Sequence, residues 1–477
     1  MMRAAWEIQG RKESVIPAKA GIHSVRGAMD PGVRRDDDIH TAVIPAKAGI
    51  HGALHTVNRG LRPDDKRAMG AHNPRSLTRW VALLAFSLHV NAGLAQDAVR
   101  PEVGKPLQAA QEAIKAQKFK DALARVSEAD AVANKTANES LLIERMRIAA
   151  ASGGGDVETA AKSFEALNAT GKVPGPEKVR MVESIAVAYY RAKDYAKAML
   201  WCQRYFKEGG TGASIRTLLI QSQYLSGDFA GAARELTTEI EAAEKAGTAP
   251  PQERLNLLLN AGTQMKDANT TVYALERLVT FYPKKDYWLD LLSRMQRKPG
   301  FSDRLTLDTY RLSLAIGSMS AANDFSEMAQ LALQAGLPHE ARQVVDKGFA
   351  SGVLGKGADG ERHKRLRNLV NKRLEEDKNA RADVEQQAAA EKGGGALVNA
   401  GFNLVFAGQA AEGLPMMQQG LAKGHLKRPD DARLHVAIAY LMTGDSAKAL
   451  GLLKTVGGTD GTADLARLWT LYAKRKT

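Results

Sequence analysis

A single cysteine, Cys202, stands among 477 residues. One thiol excludes an internal disulfide and any cysteine cluster for zinc. Aromatic residues make up only 6% of the chain, and no alternating Val, Ile or Thr runs are separated by hairpin turns. Both features speak against a sandwich or barrel. After position 95, no segment reaches the roughly 18 consecutive apolar residues that a membrane-spanning helix needs. There is no Gly-x-Ser-x-Gly elbow and no His-Glu-x-x-His motif. Lys356 follows Gly355, but Ala350 stands where a phosphate-cradling loop needs glycine, and Gly357 replaces its Ser or Thr. His339, His363, His425 and His435 are the only histidines after position 95, and none is spaced from a carboxylate as a metal ligand would be. These absences assign no catalytic residue, no metal and no cofactor.

What is abundant is Ala, Leu and one recurring pattern. A turn residue is followed two positions on by another residue, usually apolar, and three further on by a small residue. The instances are Gln117–Phe119–Ala122, Gly155–Val157–Ala160, Lys193–Tyr195–Ala198, Gly227–Phe229–Ala232, Gly336–Pro338–Ala341, Gly408–Ala410–Gly413 and Gly444–Ser446–Ala449. The small residues lie 38, 38, 34, 109, 72 and 36 positions apart, and the two long gaps are near three and two units. A period near 36 built from helix pairs defines a stacked helical repeat. The fold expected is all-α, a helix–turn–helix repeat solenoid.

One unit, Pro176 to Gly210, gives the logic. Ile185, Ala186, Ala188, Tyr189 and Ala192 form one apolar face; Lys193–Asp194 breaks it; Ala198, Trp201, Cys202 and Tyr205 form a second. Gly209–Gly210 ends the second helix. Each helix has one apolar stripe, so the two must pack as a hairpin and then on the next hairpin. Four residues after each small position stands a larger core residue: Val126, Phe164, Cys202, Leu236, Val345, Met417 and Leu453. Small-then-large order supplies the interdigitation that packed helices need. In that slot Cys202 reads as a buried, inert thiol.

Tyr189…Lys193–Asp194–Tyr195–Ala196–Lys197–Ala198, Tyr224…Gly227–Asp228–Phe229–Ala230–Gly231–Ala232 and Tyr440…Gly444–Asp445–Ser446–Ala447–Lys448–Ala449 resemble the tetratricopeptide repeat, a 34-residue helix–turn–helix unit. The resemblance covers about two-thirds of the residues after position 100 and implies a right-handed superhelix that binds protein or peptide. The family's first-helix Trp is missing, and the stretch Thr238–Ala321 has lost most of the motif, although Tyr273–Pro283 still looks like a second helix.

The first 95 residues differ in kind. Val15–His23 returns identically as Val43–His51, and Gly32-x-Arg34-x-Asp36–Asp37 returns as Gly60-x-Arg62-x-Asp64–Asp65. Residues 1–68 have no helical or strand period and resemble the translation of repetitive intergenic DNA of some proteobacterial genomes, so a start at Met69 is expected; a disordered tether is the alternative. From Met69 the chain reads as a secretory signal: Arg75 and Arg79, the apolar run Trp80–Val90, then Gly93-x-Ala95 before Gln96. The expectation is an exported, periplasmic protein. The net charge of +14 falls to +8 beyond residue 95, where 53 Lys and Arg face 45 Asp and Glu. That excess is mild, and nucleic acid is not the expected partner.

The mature chain divides into an array over 96–354, a charged stretch over 355–395, and C-terminal repeats over 396–477. The charged stretch reads as a solvated helix, with an anion-binding face as the alternative. Asp464–Lys476 reads as a helix capping an open solenoid end. Partner contacts are expected on the outward stripe of the first helices, at Arg180, Glu183, Tyr190, Arg191, Gln221 and Tyr224; the alternative is that both tyrosines pack between hairpins. This stripe lacks the Lys/Asn carboxylate clamp of chaperone-binding relatives. The functional expectation is a non-enzymatic scaffold or adaptor for an envelope protein. The alternatives are a structural subunit of an envelope secretion, export or assembly complex and, behind it, a helical-solenoid enzyme acting on cell wall.

Overall fold

The repeat is written in its turns. Gln117, Gly155, Lys193, Gly227, Gly336, Gly408 and Gly444 all adopt positive φ, between 59° and 88°. This left-handed residue ends one helix and aims the chain into the next. At Asp156, Asp194, Asp228 and Asp445 the following side chain caps the second helix by accepting the N–H of the residue three on. Gln117 and Lys193 adopt this conformation without glycine's freedom, which carries a steric cost.

The computed structural model of the chain describes residues 99–475. The nine-residue duplication and the signal-like segment lie outside the described residues. Among the described residues the structure is all-α, a helical-hairpin repeat solenoid. Its helices are α1 (Pro101–Lys115), α2 (Phe119–Asp130), α3 (Ala137–Gly154), α4 (Val157–Ala169), α5 (Gly175–Arg191), α6 (Tyr195–Lys207), α7 (Ala213–Ser226), α8 (Phe229–Lys245), α9 (Gln252–Gln264) and α10 (Ala268–Phe281). There follow α11 (Lys285–Gln296), α12 (Thr306–Ala315), α13 (Ala322–Gln334), α14 (Pro338–Ala350), α15 (Gly360–Ala390), α16 (Gly395–Phe406), α17 (Ala410–Lys423), α18 (Pro429–Met442), α19 (Ser446–Leu453) and α20 (Thr462–Lys474).

Every small-slot residue is buried: Ala122, Ala160, Ala198, Ala232, Ala341, Gly413 and Ala449. So are the seven larger residues four positions on. Gly413 shows why the slot is small. A Cβ there would lie 2.5 Å from the Gly401 carbonyl oxygen, so α16 and α17 pack backbone to backbone.

The stretch that had lost its motif holds two hairpins. In α9–α10 the turn is Lys266, at φ 55°, followed by the capping Asp267, and buried Thr271 fills the small slot opposite Gly262. The α11–α12 hairpin is irregular. Its loop carries Phe301 against Gly461, and the Ser302 N–H donates to the Asp460 carbonyl at 2.9 Å.

That docking corrects the expected open end. Helix α20 does not cap a free terminus; it packs on α10 and α12. One core runs from Leu275 and Val279 through Trp288 and Leu312 to Phe402, Leu434, Leu465 and Trp469. Ion pairs ring it: Lys298–Asp464 at 2.7 Å, Arg467–Glu276 at 2.9 Å, and Arg304 between Asp431 and Asp460. Burial would raise the Asp460 pKa, but bonds from Thr462 and Arg304 outweigh it and hold the carboxyl down at about 2.

At the centre, buried Arg311 of α12 donates to Glu340 of α14 at 2.7 and 2.6 Å and to Asp308 at 2.6 Å. His435 of α18 lies 2.9 Å from Asp308, and the guanidinium sits over the Phe402 ring of α16. Burial alone would lower the Arg311 pKa and raise that of Asp308. The opposite charges win: Glu340 and Asp308 raise Arg311, while His435 and Arg311 hold Asp308 well below the usual carboxylate range.

Two substitutions test this packing. Ala198→Leu should lower unfolding stability by about 1–3 kcal/mol through overpacking. Arg311→Leu should cost about 3–5 kcal/mol, because it strands two buried carboxylates. Denaturant melts measure both, and an unchanged midpoint for either would contradict the corresponding contact.

Candidate functional site

First helices carry the surface that could meet a partner. On α5 the helical spacing puts Arg180, Glu183, Val187 and Tyr190 on one stripe, with Arg191 at its edge. Arg180 and Arg191 are exposed, and neither forms an ion pair among the described residues. Glu183 is half-buried and in no ion pair among the described residues, and burial raises its pKa.

The two tyrosines behave differently from exposed anchors. Tyr224 is only 8% exposed; it packs edge-on to Phe229, and its hydroxyl donates to Asn260 of α9. Tyr190 is half-buried and packs edge-on to Tyr195, and its hydroxyl donates to Gln221 Oε1 of α7 at 3.0 Å. The expectation of Tyr224 as an exposed contact is therefore corrected: it cements neighbouring hairpins. Gln221 is likewise engaged by Tyr190. The equivalence of the two positions is real, since each ring lies on the first residue of the following helix and each hydroxyl reaches an amide of the next hairpin. Tyr287, near the start of α11, makes such a bond in the reverse direction, donating to Asn256 of α9 in the preceding hairpin at 3.1 Å and accepting from Gln252.

Around this stripe, most hairpins are tied by ion pairs. Arg145 meets Glu177, Lys178 meets Glu208, Arg216 meets Glu235, Arg254 meets Glu239 and Arg277 meets Glu244. Arg180, Glu183 and Arg191 stand outside that scheme. The spacing of 180, 183, 187 and 190 made the stripe legible; the tyrosine–amide bonds were not, because they join residues 31 and 36 positions apart.

Cys202 is fully buried, and burial pushes its thiol up to about 12. Two histidines do meet carboxylates, His435 at Asp308 and His339 Nε2 at Asp377, 3.5 Å away. Both pairs join distant segments, so spacing could not reveal them. The described residues contain no group of three or more His, Cys, Asp or Glu side chains able to hold a metal ion. Asp324, in the first turn of α13, is pushed up to about 6 by burial, with the Glu327 charge adding to it.

Residues 146–213 match the tetratricopeptide repeat family. That span holds α4 to α6 and the second half of α3. No curated protein matches the chain. Among solved structures, yeast Tom70 is similar at 12% identity and a TM-score of 0.22, covering 78% of this chain and 96% of its own. The P58(IPK) tetratricopeptide domain is similar at 13% identity and a TM-score of 0.20, covering 78% and 98%. At those scores neither structure carries an argument. The repeat assignment rests on the matched segment and on the turn and packing geometry.

Asp324 supplies a pH test. Its folded pKa lies above the unfolded value of 3.8, so ionisation opposes folding. Stability from this group is complete below about pH 4 and is lost as pH rises through about 6. Asp324→Asn should therefore raise stability by up to about 2 kcal/mol at pH 8 and give no gain near pH 4, measured by thermal melts at both values.

Proposed function

We propose that this chain is an exported, non-enzymatic scaffold that holds a peptide or protein partner on the concave side of its repeats, at α5 and α7. The observation that carries the proposal is the unpaired trio Arg180, Glu183 and Arg191. It lies on a first-helix stripe beside ion pairs that brace single hairpins (Lys178–Glu208, Arg216–Glu235) and join neighbouring ones (Arg145–Glu177, Arg254–Glu239, Arg277–Glu244), and it takes part in none of them. Helical-hairpin repeats present first helices toward a groove, and exposed Arg beside half-buried Tyr is a recurrent anchor pair. The partner's chemistry follows: a segment with a carboxylate for Arg180 or Arg191 and a donor for Glu183.

The supports for export are the arginines, the short apolar run and the small residues of 75–95. The partner is then an envelope protein met in the periplasm. An adaptor is favoured over an obligate subunit by the surface. Among the described residues, the exposed large apolar side chains are Leu200, Leu225, Leu369, Val384 and Met442, spread over four helices, with the two on α15 fifteen positions apart. An obligate interface would gather such residues into one patch.

A photo-crosslinker placed at position 190 in cells, followed by mass spectrometry, should capture one or two envelope proteins. Arg180→Ala with Arg191→Ala should abolish that capture while leaving the melting curve unchanged. The mature protein should begin at Gln96. Equal capture by the folded double variant would reject the α5 stripe, and an intact leader in the purified protein would reject export.

A further inference from the structure

The long helix α15 carries the densest charge in the described chain. Residues 362–373 hold six cations, Arg362, Lys364, Arg365, Arg367, Lys372 and Arg373, and no acid. His363, Leu366 and Val370 are buried and fix the inward face. Beside that face, helical spacing places Arg362, Arg365, Leu369 and Lys372 along one exposed stripe.

Three observations set this stripe apart from an ordinary solvated helix. First, Arg362, Arg365 and Lys372 form no ion pair among the described residues, although Lys364 and Arg373 on the same helix are paired with Glu361 and Glu376. Second, the cations crowd the N-terminal half of α15. Arg362 lies in its first turn, where the helix dipole favours an anion over a cation. Third, Leu369 is 43% exposed in their midst, an apolar side chain left uncovered between charges.

We propose that this face of α15 is a docking surface for a short acidic segment of a protein partner, with an apolar side chain of that segment seated on Leu369. The length of the patch selects the occupant. Twelve helical residues span about 18 Å. Exposed Asp359 and Glu361 bound the patch at one end, and exposed Glu375 and Glu376 at the other. A nucleic acid or an anionic bilayer extends beyond 18 Å and meets those carboxylates; a segment of three or four acidic residues does not. The surface is separate from the α5 stripe and does not depend on it.

The full-length protein should be titrated with a labelled five-residue peptide of four Glu around one central Leu, which spans about 17 Å when extended. The other probes are a labelled single-stranded oligonucleotide and vesicles containing phosphatidylglycerol. The peptide should bind, with affinity falling steeply as salt screens the charges. R362Q with R365Q and K372Q should weaken it at least tenfold, with melting temperature and helical signal unchanged because all three side chains are exposed. Leu369→Ser alone should weaken it severalfold, and R180A with R191A should not change it. The proposal fails if the triple variant binds the peptide as wild type does, or if Leu369→Ser has no effect. It also fails if the oligonucleotide or the vesicles bind as tightly as the peptide through the same three residues. Should the triple variant lose its fold, the Leu369→Ser comparison decides alone.

Discussion

A guanidinium buried between two carboxylates, beside an imidazole and a phenyl ring, ties together four helices that a linear repeat would keep apart. Arg311 and Asp308 belong to α12, Glu340 to α14, Phe402 to α16 and His435 to α18. Buried charges are costly unless each is met by an opposite charge with good geometry. Here the planar fork of Arg311 meets Glu340 with two parallel bonds, which fixes the angle between helices as well as their distance. The C-terminal hairpins are thereby held on the middle of the array, and the shared apolar core from Leu275 to Ala473 forms around that attachment. Arg304, Lys298 and Arg467 repeat the same theme at the rim, where solvent weakens each pair.

Within the N-terminal array a different economy operates. Each hairpin contacts its neighbours, and stability accumulates through repeated local devices. A left-handed residue ends one helix, an aspartate caps the next at several turns, a small residue lets the pair approach, and a larger one fills the gap. Tyrosine hydroxyls and cross-hairpin ion pairs then fix one unit on the next. Once those needs are met, few side chains on the first-helix stripe remain uncommitted, and the unpaired Arg180, Glu183 and Arg191 are the ones that define the proposed groove. On α15, Arg362, Arg365 and Lys372 also stand outside any ion pair among the described residues, although Lys364 and Arg373 are paired. Two surfaces of unlike character on one chain fit a protein that brings partners together.

Much of the hairpin architecture was legible because its determinants are local. Positive φ at Gln117 and Lys193 follows from their place in the pattern, even without glycine. The hairpin at 252–281 could have been found the same way. Lys266–Asp267 repeats the Lys193–Asp194 turn, and Thr271 stands where Ala198 does. It was obscured because the small slot holds Thr, whose backbone and hydroxyl pack against Gly262 across the hairpin beside the Thr270 methyl. The α11–α12 hairpin was not legible at all. Its loop is shaped to receive Gly461 and Asp460, more than 150 positions away.

The sequence by itself determined the helical class, the turns, the small-residue slots and the stripe on α5, because each depends on residues within one or two helical turns. Only the tertiary structure decided that Tyr224 is a packing residue, that α20 docks on α10 and α12, and that His435 faces Asp308. Those outcomes turn on which surfaces meet. A helix with an apolar stripe can close an open end or enter a distant groove equally well by its own pattern. The choice was made by buried charges, and by a loop bent to fit them, lying far apart in the chain.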